Sequence, residues 1–275
     1  MTWQDLLGSL GAKMLIRILL FFSSFFPLFY FLSGPALSQQ LDSLELLDRM
    51  EASYSKVKDY TALFRRRERI FGELKPQEVI FLKFQKPFKV YMRWLPGPHE
   101  GREAIYVKGA NRNKVLLHEA SGFASSVIVS LDPDGRRVLK ESRHPFTEIG
   151  IGRLIERVAQ DARRAWARKE LRLVDRGKDK IAGRAVHQVE GVLAQDQRAG
   201  YSAYRTILAI DEEYGLPVKA LIYDWENFLV GEYTYSDVRV NPGLGEVDFK
   251  TSNSAYKFRG IRVTVDDWGG ILDKK

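Results

Sequence analysis

Ile80, Leu82, Phe84, Phe88, Val90, Met92 and Trp94 all fall on even positions, while Lys83, Gln85, Lys89 and Arg93 fall on odd ones. A period of two sends these sets to opposite sides of an extended chain. Glu78–Trp94 therefore reads as a strand with one face buried and the other wet, as in an antiparallel sheet. Pro87 has no N–H to give a ladder, so the run must bend, bulge or lie at an edge there. A one-sided strand needs neighbours. Further strands are predicted at Tyr60–Phe71, Ala104–Val107, Lys114–His118, Ser126–Leu131, Arg137–Lys140, Glu170–Asp175, Arg184–Leu193, Tyr204–Asp211, Pro217–Trp225, Phe228–Tyr235 and Val247–Thr251. Gly72-Glu73, Asp134-Gly135, Gly177–Asp179, Glu213-Tyr214-Gly215 and Glu226-Asn227 read as turns between them. Short strands at regular spacing predict a mainly β protein, a strongly curved antiparallel sheet or barrel.

Two stretches break the pattern with helical spacing. In Leu41–Val57, the residues Leu44, Leu47, Met50, Tyr54 and Val57 share one face. In Thr147–Lys169, the apolar stripe is Ile151, Leu154, Ile155, Val158, Ala162, Ala165 and Trp166, and Arg153, Arg157, Arg163, Arg164 and Arg168 cover much of the rest. This second helix is amphipathic and basic. From Ile149 to Lys169 it reads as a lid over the apolar face of the sheet. Its arginines would point outward to meet an anionic membrane surface, and Gly150 and Gly152 would serve as a hinge.

The first 38 residues read as an export signal. Lys13 and Arg17 precede the apolar run Ile18–Leu32, Ser33-Gly34-Pro35 breaks it, and Ala36-Leu37-Ser38 supplies small residues for cleavage, so the mature chain is expected to begin near Gln39. An uncleaved anchor is the alternative. In both cases the basic flank stays inside and the domain lies beyond the inner membrane. One domain is expected over residues 39–260, with residues 261–275 as a trailing strand or tail.

The chain has no cysteine, which excludes disulfides, thiol nucleophiles, cysteine-bound metals and a lipid-modified cysteine. A net charge of +8 suits anionic partners, but export argues against nucleic acid. His99, His118, His144 and His187 show no metal-binding spacing, and no nucleophile elbow, phosphate loop or dinucleotide fingerprint is present. Asp132-Pro133-Asp134-Gly135 lacks the rest of a calcium loop and reads as a hairpin turn. Asp211-Glu212-Glu213 and Asp266-Asp267 read as solvated turns. No catalytic residue, metal or cofactor is expected.

The segment Lys86-Pro87-Phe88-Lys89-Val90-Tyr91, following a helix and a long first strand, resembles the bacterial LolA-like lipoprotein carriers. So do Ile105-Tyr106-Val107-Lys108-Gly109, the hairpin Ile181-Ala182-Gly183-Arg184-Ala185-Val186, and Ile210-Asp211 with Gly215-Leu216-Pro217, all in the family's order. The resemblance covers roughly residues 41–250, and His144–Glu156 looks like an uncharacterised exported branch of that superfamily. It implies an unclosed β-barrel covered by helices, with an apolar cavity for the acyl chains of lipids or lipoproteins. On that expectation the cavity and its lid comprise Phe64, Ile80, Leu82, Phe84, Phe88, Val90, Met92, Trp94, Ile151, Leu154, Ile155 and Val158. Arg66 shares a side with Phe64, Glu68 and Ile70, and would meet an anionic headgroup if that side is concave. The implied function is a periplasmic, non-catalytic acyl-chain carrier. The alternative is an envelope sensor or binding module on the same fold, reading a partner protein or a glycan.

Overall fold

A computed structural model describes residues 43–265 and 270–274. The export signal and Asp266-Asp267 lie outside these residues. The chain runs through α1 (Ser43–Ser55), β1 (Asp59–Ile70), β2 (Glu73–Leu74), β3 (Glu78–Gln85), β4 (Lys89–Trp94), β5 (Glu103–Val107), β6 (Val115–His118) and β7 (Val127–Leu131). It continues through α2 (Arg136–Leu139), α3 (Ile151–Ala167), β8 (Arg172–Ile181), β9 (Arg184–Val192), β10 (Arg205–Asp211), β11 (Pro217–Tyr223), β12 (Leu229–Val240), β13 (Ile261–Val265) and β14 (Ile271–Lys274).

The strands join one 14-stranded sheet in the order β14-β13-β7-β6-β5-β4-β3-β1-β12-β11-β10-β9-β8, with β2 beside β1. Among the described residues β8 pairs only with β9 and β14 only with β13, so the sheet is unclosed. Pairing is antiparallel except between β13 and β7, which run parallel.

Glu78–Trp94 is a hairpin, not one strand. The chain reverses at Lys86-Pro87, where the peptide is cis. Ile80 faces Trp94, Leu82 faces Met92 and Phe84 faces Val90 across it. Directly opposed residues share a face, and here even pairs with even, so the alternation survives the reversal. All seven even apolar residues are 0–4% exposed.

The opposite face is not simply wet. After β12 the chain crosses it as a strap that lays Phe249, Tyr256 and Phe258 on Tyr91, Ile105, Leu116 and Ile128, forming a second core. The Tyr91 and Tyr256 rings stack at 3.9 Å, and Lys83 lies over both while pairing with Asp248 at 2.6 Å. Gln85 donates to the Leu244 carbonyl at 2.7 Å, and Lys89 pairs with Glu246. The polar residues of the odd face thus tie down the strap, which returns the chain parallel to β7.

Several local expectations are corrected. The strand expected at Arg137–Lys140 is replaced by the short helix α2, so Asp134-Gly135 leads into a helix rather than a hairpin. α2 also makes the helices three among the described residues, not two. Gly177–Asp179 lies inside β8 at a bulge opposite Val189 and Gln188. A bulge lets a glycine stay in a strand without ending it. Val247–Thr251 is not a strand, because Glu246–Phe249 forms one 3-10 turn of the strap. Ile261 onward supplies two strands, β13 and β14.

Candidate binding cleft

α3 is built with two apolar stripes rather than one. Ile151, Ile155, Ala159, Ala162 and Ala165 repeat at steps of three and four and are buried. Leu154 and Val158 flank this stripe and stay half-buried. Trp166, expected in the buried stripe, is 49% exposed, because Ala165 takes the inward position at that turn. The helix packs on α1, where Arg163 clasps Asp48 at 2.6 Å and Glu51 at 2.7 Å.

The glycines at its start are contact points, not a hinge. Gly152 meets Tyr54 of α1 so closely that an added Cβ would lie 2.3 Å from the ring. A Cβ on Gly150 would lie 2.9 Å from the Tyr60 hydroxyl, and that hydroxyl accepts the Ile151 N–H at 3.0 Å. The arginines do not form a free basic face either. Arg163 is held by α1, Arg153 pairs with Glu156, Arg157 with Glu148 and Arg164 with Asp161, and Arg168 donates to the Ala199 carbonyl.

Between the flanking stripe of α3 and the sheet lies a narrow cleft of about 930 Å³, counting its open mouth. Leu46, Leu47 and Met50 of α1 and Leu154, Val158 and Ala162 of α3 form one wall. The other comes from β8–β12 and their ends: Leu171, Leu173, Val189, Gly191, Leu193, Thr206, Leu208, Ile222, Gly231 and Tyr233. The register explains this set. Leu173 faces Gly191, Gly191 faces Thr206, Thr206 faces Ile222 and Ile222 faces Gly231, so all point to the concave side. The inward glycine on β9 leaves space, whereas Gly231 on β12 is covered by the Tyr233 ring, 2.7 Å from where a Cβ would lie. An added Cβ on Gly191 would touch only the Leu171 and Leu173 side chains, both at an ordinary 3.8 Å.

Arg143, His144 and Arg157 also line the cleft, and Arg143 is exposed where it opens to solvent. An adjoining hollow of about 550 Å³ shares His144, Leu154, Arg157, Ile222 and Tyr233 with the cleft and is lined also by Phe64, Arg66, Glu68, Ser142 and Tyr235. Here charge is buried but matched. Arg66 pairs with Glu78, lies 3.9 Å from Glu68 and donates to Ser142 at 3.1 Å. Burial alone would lower its pKa, but Glu78 and Glu68 more than offset that and hold it above the ordinary value. The Tyr233 hydroxyl donates to Glu68 at 2.6 Å, and burial, then the carboxylate, push its pKa well up. His144 is pushed down to about 4, first by burial and then by Arg157. It is therefore neutral near pH 7, and its Nδ1 accepts a hydrogen bond from Arg157 at 2.8 Å.

The sequence-derived cavity residues separate into groups. Leu154 and Val158 line the cleft. Phe64 and Arg66 line the adjoining hollow, with Arg66 already compensated by carboxylates. Phe84, Phe88 and Ile155 border a more open hollow on the other side of α3. Ile80, Leu82, Val90, Met92, Trp94 and Ile151 line none of these hollows and fill the core. The β8–β12 wall was missed by sequence reasoning. Its available signal was Gly191 and Gly231, isolated glycines inside strands, which mark close approach or missing side-chain volume. Among the described residues no cluster of three or more His, Cys, Asp or Glu side chains could hold a metal ion. No described helix is long and apolar enough to cross a membrane.

An unclosed, mainly antiparallel sheet with an apolar cleft between it and α3 defines the class of protein. Residues 57–258 match the family described as a protein of unknown function (DUF1571), and the chain belongs to that family. No curated protein matches it. The chain is similar to the crystal structure of MucB, with 14% identity over 81% of this chain and a TM-score of 0.46. It spans 66% of the MucB chain, just under two thirds. It is similar to the Mycobacterium tuberculosis lipoprotein LppX, with 13% identity, a TM-score of 0.45 and coverage of 74% of this chain and 96% of that one. It is also similar to a LolA superfamily protein from Nitrosomonas europaea, with 12% identity, a TM-score of 0.31 and coverage of 75% and 96%.

Proposed function

We propose that this protein is an exported, non-catalytic binder and carrier of acyl chains, taking them into the cleft between α3 and β8–β12. The observation that carries this reading is the unfilled apolar cleft itself. Leu154, Val158, Leu171, Leu173 and Ile222 stay only half-buried around it. Burying a Leu or Val side chain completely from full exposure is worth about 1.5–3 kcal/mol, so an acyl chain covering these half-buried ones gains a part of that at each. Small-molecule sites are concave and mostly apolar, with a few polar groups to fix orientation, and Arg143, His144 and Arg157 are such groups in this lining. The basic and apolar N-terminal pattern supports periplasmic residence.

Gly191 gives the test. Its Cβ position is open and it carries no positive φ, so a larger side chain can enter the cleft without backbone strain. Gly191→Leu should fold normally and bind a fluorescent fatty acid at least about tenfold more weakly than the native protein. Equal binding by the two proteins would mean that acyl chains do not bind in this cleft.

A further inference from the structure

Two of the most exposed aromatic rings of the described chain lie on neighbouring turns. Phe71 is 85% exposed and Phe228 53%. Phe71 and Gly72 form a two-residue loop between Ile70 and Glu73, which face each other across β1 and β2. Both loop residues have positive φ, +51° and +80°. That is the pattern of a type I′ turn, whose first position suits Asn, Asp or Gly and strains a bulky side chain. The chain holds an aromatic ring out in water where asparagine would be easier, and strain at such a position points to function rather than stability.

Phe228 closes the turn before β12, and β12 pairs with β1 through Glu68 and Gly231, so both turns share one rim of the sheet. Arg69 joins them. It donates to the Gly72 carbonyl at 2.7 Å and to the Leu229 carbonyl at 3.1 Å, and its guanidinium sits 5.5 Å from the centre of the Phe228 ring. Arg143, at the mouth of the cleft, donates to the Arg69 carbonyl at 3.2 Å. Among the described residues neither guanidinium forms an ion pair. Nearby carboxylates are engaged elsewhere: Glu73 pairs with Lys75, and Asp224 accepts the N–H groups of Glu226 and Phe228 within its own turn. Glu226 is exposed and forms no ion pair among the described residues.

We propose that this rim docks on a phospholipid bilayer carrying anionic headgroups. Phe71 and Phe228 enter the interface, Arg69 and Arg143 meet lipid phosphates, and the cleft mouth beside Arg143 is presented to the lipid. The proposal extends the acyl-carrier reading, but its test is separate. Native protein should sediment with vesicles of phosphatidylethanolamine and phosphatidylglycerol. The double variant Phe71→Asn with Phe228→Ser should partition about tenfold less or lower still, since two rings no longer leave water. Phe71→Asn alone should melt no lower than native, because asparagine suits the turn. Docking of the rim on lipid is refuted if native protein ignores the vesicles, as it would if the rim serves a protein partner. Unchanged partitioning of the double variant, or a lower melting temperature for Phe71→Asn, refutes it equally. Fatty-acid binding without vesicles should be unchanged in the double variant, so failure of the cleft shows in that assay while the vesicle assay alone decides the docking of the rim.

Discussion

Phe84→Ala should lower the unfolding free energy by about 3–5 kcal/mol, the range for removing a phenyl ring from a packed core. Phe84 is 3% exposed, stacks on Tyr60 at 5.2 Å between ring centres and meets Phe88 edge-on at 5.3 Å. It also packs under Gly150, which has no side chain there. Truncation would therefore undercut the start of α3 as well as the β3–β4 hairpin. Denaturant unfolding of the two proteins measures the difference. A loss under about 1 kcal/mol would mean that the site collapses freely or is not a packed core.

Glu78→Leu should be comparably damaging, at about 3–5 kcal/mol, because it strands a buried guanidinium. Glu78 and Arg66 have side chains only 10% and 11% exposed. With Glu78 gone, Arg66 keeps Glu68 at 3.9 Å and the Ser142 hydroxyl, a poor exchange for a direct carboxylate contact. Glu68 cannot move closer freely, since it also holds the Tyr233 hydroxyl and the Arg143 N–H. The double variant Glu78→Leu with Arg66→Met removes both charges and should recover much of the loss, as uncharged replacements of buried pairs do elsewhere. If the double variant is no more stable than Glu78→Leu, the pair is not the source of the cost.

Much of the fold was legible because side-chain periodicity is a local property. The even face of Glu78–Trp94 needed no knowledge of its partners, and it survived the unforeseen reversal at Pro87 because the register pairs even with even. The covering strap was not legible. Phe249, Tyr256 and Phe258 show no strand period, and their partner Tyr91 lies more than 150 residues earlier, on a face that reads as wet. The cleft failed for a related reason. Strong alternation marks the best-packed strands, whereas a binding space forms where packing is incomplete, at Gly191 and Thr206 on weakly patterned strands. The charge network beneath it joins Glu68 to Tyr233, 165 positions apart, and only the pairing of β1 with β12 brings them together.

If the cleft under α3 holds an acyl chain, the protein should leave the cell carrying one. Mass spectrometry of the lipids carried by protein purified from the periplasm tests it most directly. Native protein should carry acyl lipid at a level approaching one per chain, and Gly191→Leu purified in parallel should carry little or none. Native protein that is free of acyl lipid, or a Gly191→Leu protein equally loaded, would contradict this.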